Sequence, residues 1–148
     1  MNKAHSLTVK KLILASRDRV FAAWTTPELM RQWFFPEGMS LVSAESDVRV
    51  GGRFRAAMSD GSQTHTALGV YREIEVGRKF VFSHSWLERD PLETQVTVEF
   101  TDQDGGTLVT VTHEGLGSEA SVKGHEGGWL GTLQNLAKFL QDTPRSAA

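Results

Sequence analysis

The chain has 148 residues, 16 basic and 18 acidic side chains, a net charge of −2 and no cysteine. This length fits one domain over 1–148, large enough to bury roughly 70% of its unfolded surface without covalent staples. The charge balance lacks the basic footprint of a nucleic-acid binder, and the missing cysteines exclude disulfides, thiolate nucleophiles and cysteine-based zinc sites.

The first apolar stretch, LTVKKLILA, is rich in Val, Ile and Leu and predicts a strand over about 6–15. Lys10 and Lys11 interrupt it, so it is a poor signal-peptide core. No run approaches the ~20 apolar residues of a membrane span. Membrane insertion is therefore not expected, and the cytoplasm is the expected location. SRDRVFAAW follows, with Ser16 as N-cap and Val20, Phe21 and Trp24 at helical spacing. TTPELMRQWF then predicts a second short helix, with Thr26 as cap and Pro27 at the first helical position, where its missing N–H costs nothing.

From Ser40 the period changes to two. SLVSAESDV, RFRAAMS, THTALGVYREI, KFVFSHSW, ETQVTVEF and TLVTVTHE read as six strands. The Gly51-Gly52 pair, Asp60-Gly61, EVGR, a long turn around RDPL and DQDGG separate them. Such a meander is most simply antiparallel. In EASVKGHEGGWLGTLQNLAKFLQ, Trp129, Leu133, Leu136 and Leu140 recur every three or four residues, which predicts a long amphipathic helix ending near Asp142. The last residues, 142–148, are expected to fray. The order predicts an α+β fold: a curved antiparallel sheet of about seven strands, two short helices after the first, and a long C-terminal helix packed across the sheet.

Side chains alternate across a strand. Phe80, Phe82, His84 and Trp86 share one face, as do Val96, Val98 and Phe100, then Val109, Val111 and His113, then Phe54, Ala56 and Met58. Arg53 and Arg55 fall outside and read with Arg49 as a solvated face. In THTALGVYREI the parity is ambiguous; the set His65, Ala67, Gly69 and Tyr71 is taken as inward. The plainer alternative is that the same residues simply fill the core, but four indoles with a lean share of aliphatics are hard to pack without leaving space. A binding cavity between sheet and C-terminal helix is therefore expected, lined by Trp24, Trp33, Phe34, Phe54, Met58, Phe82, His84, Trp86, Trp129 and Leu133.

GHEGGW, residues 124–129, nearly matches the HExxH zinc motif, but Trp129 stands where the second histidine belongs. No metal is expected. No cofactor is expected either, since Gly51-Gly52 lacks a phosphate-loop context. His84, His113 and His125 are the candidates for acid–base chemistry. The simpler reading has His113 and His125 hydrogen-bonding to tie the last strand to the helix start. Gly127 and Gly128 would cost ~1 kcal/mol each in a helix. They either let its backbone approach the sheet or leave a gap beside Trp129.

The pieces RVFAAWTTPELMRQWF, GGRFRAAM, GVYREIEVGRKFVFSHSW, TLVTVTHEGL and GHEGGWLGTLQNLAKFL, in this order over about 7–141, resemble the START-like (SRPBCC) superfamily with its helix-grip fold. Within it the chain resembles the group related to the C-terminal domain of the activator of the ninety-kilodalton heat-shock chaperone's ATPase. The resemblance implies a carrier or sensor of a small hydrophobic molecule, lipid-like or aromatic, without evident catalysis. It also leaves a chaperone as a partner, in a stress-response role, and a second copy of the chain as another. No counterpart of the activator's chaperone-docking N-terminal domain is read in the sequence, so the ligand-binding role is the expected one. The superfamily also hosts cyclases and other enzymes, for which a cavity histidine would act as acid–base.

Overall fold

Alternating burial along successive segments builds one sheet in this computed structural model, which describes residues 5–36, 38–88 and 92–142. The expected turn around RDPL and the expected fraying tail fall mostly on 89–91 and 143–148, outside the described residues. Strand β1 (Leu7–Ile13) precedes helices α1 (Arg17–Thr25) and α2 (Pro27–Met30). Strands β2 (Ser40–Ser46), β3 (Arg53–Ser59), β4 (Thr64–Glu75), β5 (Lys79–Trp86), β6 (Thr94–Gln103) and β7 (Gly106–Glu114) form the meander, and α3 (Glu119–Asp142) ends it. The sheet order is β1-β7-β6-β5-β4-β3-β2, so β1 closes beside the last strand, pairing Leu7 with His113. All neighbours are antiparallel. The sheet curls into a half-barrel around α3, which is the expected α+β helix-grip architecture.

Local chemistry sets the element ends. Ser16 Oγ accepts the N–H of Arg19 at 3.3 Å and caps α1, whereas Thr26 heads α2 through its backbone carbonyl alone. α2 is a single turn. Strands β6 and β7 run further than DQDGG suggests, because Asp104 and Gly105 both take positive φ (48° and 80°). Two such residues make a tight hairpin turn whose twist matches the strands. At the other predicted turn Gly51 has φ 87°, and a Cβ on Gly52 would run into the carbonyl oxygen of Asp47. The ambiguity in β4 has a structural cause. His65, Ala67 and Tyr71 turn toward the helix side, but a bulge between Tyr71 and Glu73 then brings Ile74 opposite Phe80. One parity cannot describe a strand that changes face midway.

The core is an aromatic cluster with Trp24 at its centre. Its ring packs edge-on against Trp33, Phe34, Phe80 and Phe100 and stacks on Trp129 at 6.1 Å. On α3, Leu133, Leu136 and Leu140 are buried against it. Full burial of each contributes about 1.5–3 kcal/mol, which outweighs the ~1 kcal/mol each helical glycine costs.

Buried indole N–H groups need acceptors. Trp33 Nε1 donates to the carbonyl of Ala23 at 3.1 Å, whereas Trp24 Nε1 is buried with no hydrogen-bond partner among the described residues. Replacing either by phenylalanine removes similar volume, but only Trp33→Phe also removes a satisfied buried bond. Trp33→Phe should therefore lose about 1 kcal/mol more than Trp24→Phe in urea unfolding; equal losses would contradict this account.

Candidate functional site

The ends of β5 and β7 and the first turns of α3 bring three histidines together. Ring centroids lie 5.1 Å apart for His84 and His113, 4.9 Å for His113 and His125, and 6.3 Å for His84 and His125. Two indoles donate to them. Trp129 Nε1 donates to His113 Nδ1 at 3.1 Å, and Trp86 Nε1 donates to His125 Nε2 at 3.1 Å. Accepting at those atoms puts the ring proton on the other nitrogen. His113 Nε2–H then donates to Thr94 Oγ1 at 2.7 Å, and Thr94 donates onward to the carbonyl of His84 at 2.8 Å. His125 Nδ1–H donates to the carbonyl of Ser121 at 2.8 Å.

His113 is fully buried. Burial, then the neighbouring His84 and His125 rings, hold its pKa at about 2 against an ordinary 6.5. It is a neutral structural acceptor that ties β7 to α3, as the simpler reading of the sequence has it. His125 packs edge-on against His113 of the last strand and takes its indole bond from β5. Acid–base work by either ring would have to break a bond to an indole. Their acceptor lone pairs also point at different indoles, not at a common point, and no group of metal-ligating side chains converges among the described residues.

Beside this cluster lies a half-open recess of about 500 Å³ between α3, the sheet and the segment after α2. Of the residues expected to line a cavity, Phe34, Met58, His84, Trp86 and Trp129 border it. Trp24, Trp33, Phe54, Phe82 and Leu133 are packed into the closed core instead. Pro36, Met39, His65, Ala120, Ser121, Gly124, His125, Gly128 and Thr132 border it as well, outside the expected lining. Ala120, Gly124, Gly128 and Thr132 sit four apart and form one stripe of α3, a spacing the sequence does carry. Pro36 and Met39 lie in irregular chain that no periodicity marks.

The glycines do not bring the helix against the sheet. A Cβ at Gly124 or Gly127 would meet nothing within 4 Å, and one at Gly128 only the Pro36 ring at 4.0 Å. Close approach is thus excluded as their purpose. Gly124 and Gly128 border the recess, which is the gap beside Trp129 that the sequence left as the alternative.

A curled antiparallel sheet gripping a long C-terminal helix defines a START-like helix-grip protein. The family model described as "Activator of Hsp90 ATPase homolog 1-like protein" matches residues 14–141, and the chain belongs to that family. Solved structures share the fold. A protein from Chromobacterium violaceum is 22% identical with a TM-score of 0.86, covering 95% of this chain and 99% of that one. The AHSA1 protein of Silicibacter pomeroyi is 22% identical with a TM-score of 0.82, covering 92% and 97%. An AHSA1-like protein from Aeromonas hydrophila is 24% identical with a TM-score of 0.79, covering 92% of each. No curated protein matches the chain. No described helix is long and apolar enough to cross a membrane.

Two outcomes follow from this geometry. The unfolded chain protonates its His113 near 6.5, but the folded chain refuses that proton until about 2. This contribution to stability is therefore complete above 6.5 and is lost progressively as pH falls through that window. Between about pH 6.5 and 5, His113→Gln should flatten the slope of unfolding free energy by up to about 1.4 kcal/mol per pH unit. An unchanged slope would contradict the depressed pKa. Gly127 is exposed, helical and without neighbours for a Cβ. Gly127→Ala should stabilise by about 1 kcal/mol and raise Tm by about 2–4 °C in a thermal melt.

Proposed function

We propose that the protein binds a small hydrophobic molecule in the recess between α3 and the sheet, without chemistry on it. The observation that carries this reading is the recess itself. At about 500 Å³ it falls in the range of small-molecule sites, and Phe34, Met39, Met58, Trp86 and Trp129 give it an apolar wall. At Gly124 and Gly128 the helix presents bare backbone to the recess. Membership of a START-like family agrees with this use of the space, and the chaperone and enzyme readings gain no observation of their own.

Nile red, an uncharged hydrophobic dye, tests it. Its fluorescence should rise saturably with one equivalent of protein. The Gly124→Leu/Gly128→Leu variant fills the recess from positions where a Cβ meets at most one distant atom. It should fold and bind the dye at least about tenfold more weakly, a change of about 1.4 kcal/mol. Unsaturable binding, or equal binding by the filled variant, would count against the proposal.

A further inference from the structure

Resting on the reading that the recess binds a ligand, we infer which chemical class it takes: an uncharged, ring-bearing molecule that presents a hydroxyl donor to Thr132. Three independent features point there.

The first is charge. Among the described residues, none that borders the recess is Lys, Arg, Asp or Glu. An ionised head brought into such a site loses its hydration and meets no counter-charge. The carboxylates of Asp60 and Glu88 act on the lining through His65, and both are negative. Asp60 Oδ2 stands 3.6 Å from Nε2 of His65, which borders the recess. The backbone N–H groups of Gln63 and Ser62 donate to the Asp60 carboxylate at 2.8 and 2.9 Å and keep it ionised, its pKa held at about 2. A carboxylate-headed amphiphile such as a fatty acid is doubly disfavoured.

The second feature is the direction of the hydrogen bonds. Thr132 is buried, borders the recess, and donates its O–H to the Gly128 carbonyl at 2.8 Å. A hydroxyl carries one donor and two acceptor lone pairs. With its proton committed along the helix, Thr132 can only accept. A buried acceptor is satisfied by a ligand O–H and not by an ether, a ketone or a bare ring. The third feature is shape. Gly128 and Gly124 continue the stripe from Thr132 with bare backbone, and Trp129 and Phe34 offer ring surfaces beside it. A bare helical surface next to aromatic walls suits a flat ring better than a branched chain.

A matched series separates these features: naphthalene, naphthol, naphthoate and naphthylmethylammonium, each titrated calorimetrically into the full chain at about pH 8, where ordinary histidines are neutral. Naphthol should bind about two- to tenfold more tightly than naphthalene, the range one net hydrogen bond gives. It should exceed both ions by at least about tenfold. Thr132→Val should abolish the preference for naphthol over naphthalene, read as the ratio of their affinities, while Thr132→Ser keeps it. Tightest binding by either ion, or a naphthol preference that survives Thr132→Val, would overturn the inference. Equal binding of all four would overturn it and leave the ligand-site reading standing. Binding of none would remove both.

Discussion

An indole N–H taken out of water costs free energy unless it finds an acceptor, and in this protein Trp129 and Trp86 find theirs on histidines across the gap between helix and sheet. Trp129 on α3 donates to His113 on β7, and Trp86 on β5 donates to His125 on α3. The pairing is reciprocal, with one donor from each layer. It also fixes direction. Because His113 accepts at Nδ1, it must donate at Nε2, and the bond passes through Thr94 on β6 to the His84 carbonyl on β5. One relay thus links α3 to three strands. Its cost is that His113 must remain neutral, which its burial enforces.

This arrangement explains why the recess lies where it does. The C-terminal half of α3 is held by Leu133, Leu136 and Leu140, whose burial is non-directional and tolerates no gap. The N-terminal half sets only Val122 and Trp129 against the core. The two indole–imidazole bonds hold it besides, and they act at points. Between and beside those points the helix carries Ala120, Gly124 and Gly128, so the sheet and the helix are joined without being filled. Directional bonds can hold two surfaces at a fixed separation where packing would collapse it.

Much of the fold was legible because its signals are periodic. Alternation placed Phe80, Phe82, Val96, Val98, Val109 and Val111 on the inner face, and all are buried. The three-to-four spacing after Trp129 placed α3, and Ser16 marked the start of α1 through one hydrogen bond. The candidate site was legible only in part, because alternation gives the face of a side chain and not its depth. Trp24, Trp33, Phe54, Phe82 and Leu133 point inward, yet other side chains cover them, whereas Phe34, Met58, Trp86 and Trp129 stand at the edge. In β4 even the face was uncertain, for the bulge after Tyr71 resets it. The partners of the histidines were illegible for another reason. Trp86 and His125 are 39 residues apart, and nothing in either local pattern says that they meet.

The glycines of GHEGGW carry the argument furthest. A helix of 24 residues gains from alanine at nearly every position that packing does not decide. Gly52 sits where a Cβ would strike backbone, so there sterics enforce glycine. Gly124 and Gly128 face no such obstacle, and nothing in the structure explains Gly127. Larger residues at 124 and 128 would meet almost nothing in the protein and would project into the recess. Local propensity is therefore violated at two adjoining turns with no packing gain to offset it. A sequence that breaks its own local rules without a structural return does so most often at a functional site. Here the violation and the recess occupy the same face of the same helix, beside the histidine-bound tryptophan that holds that face in place.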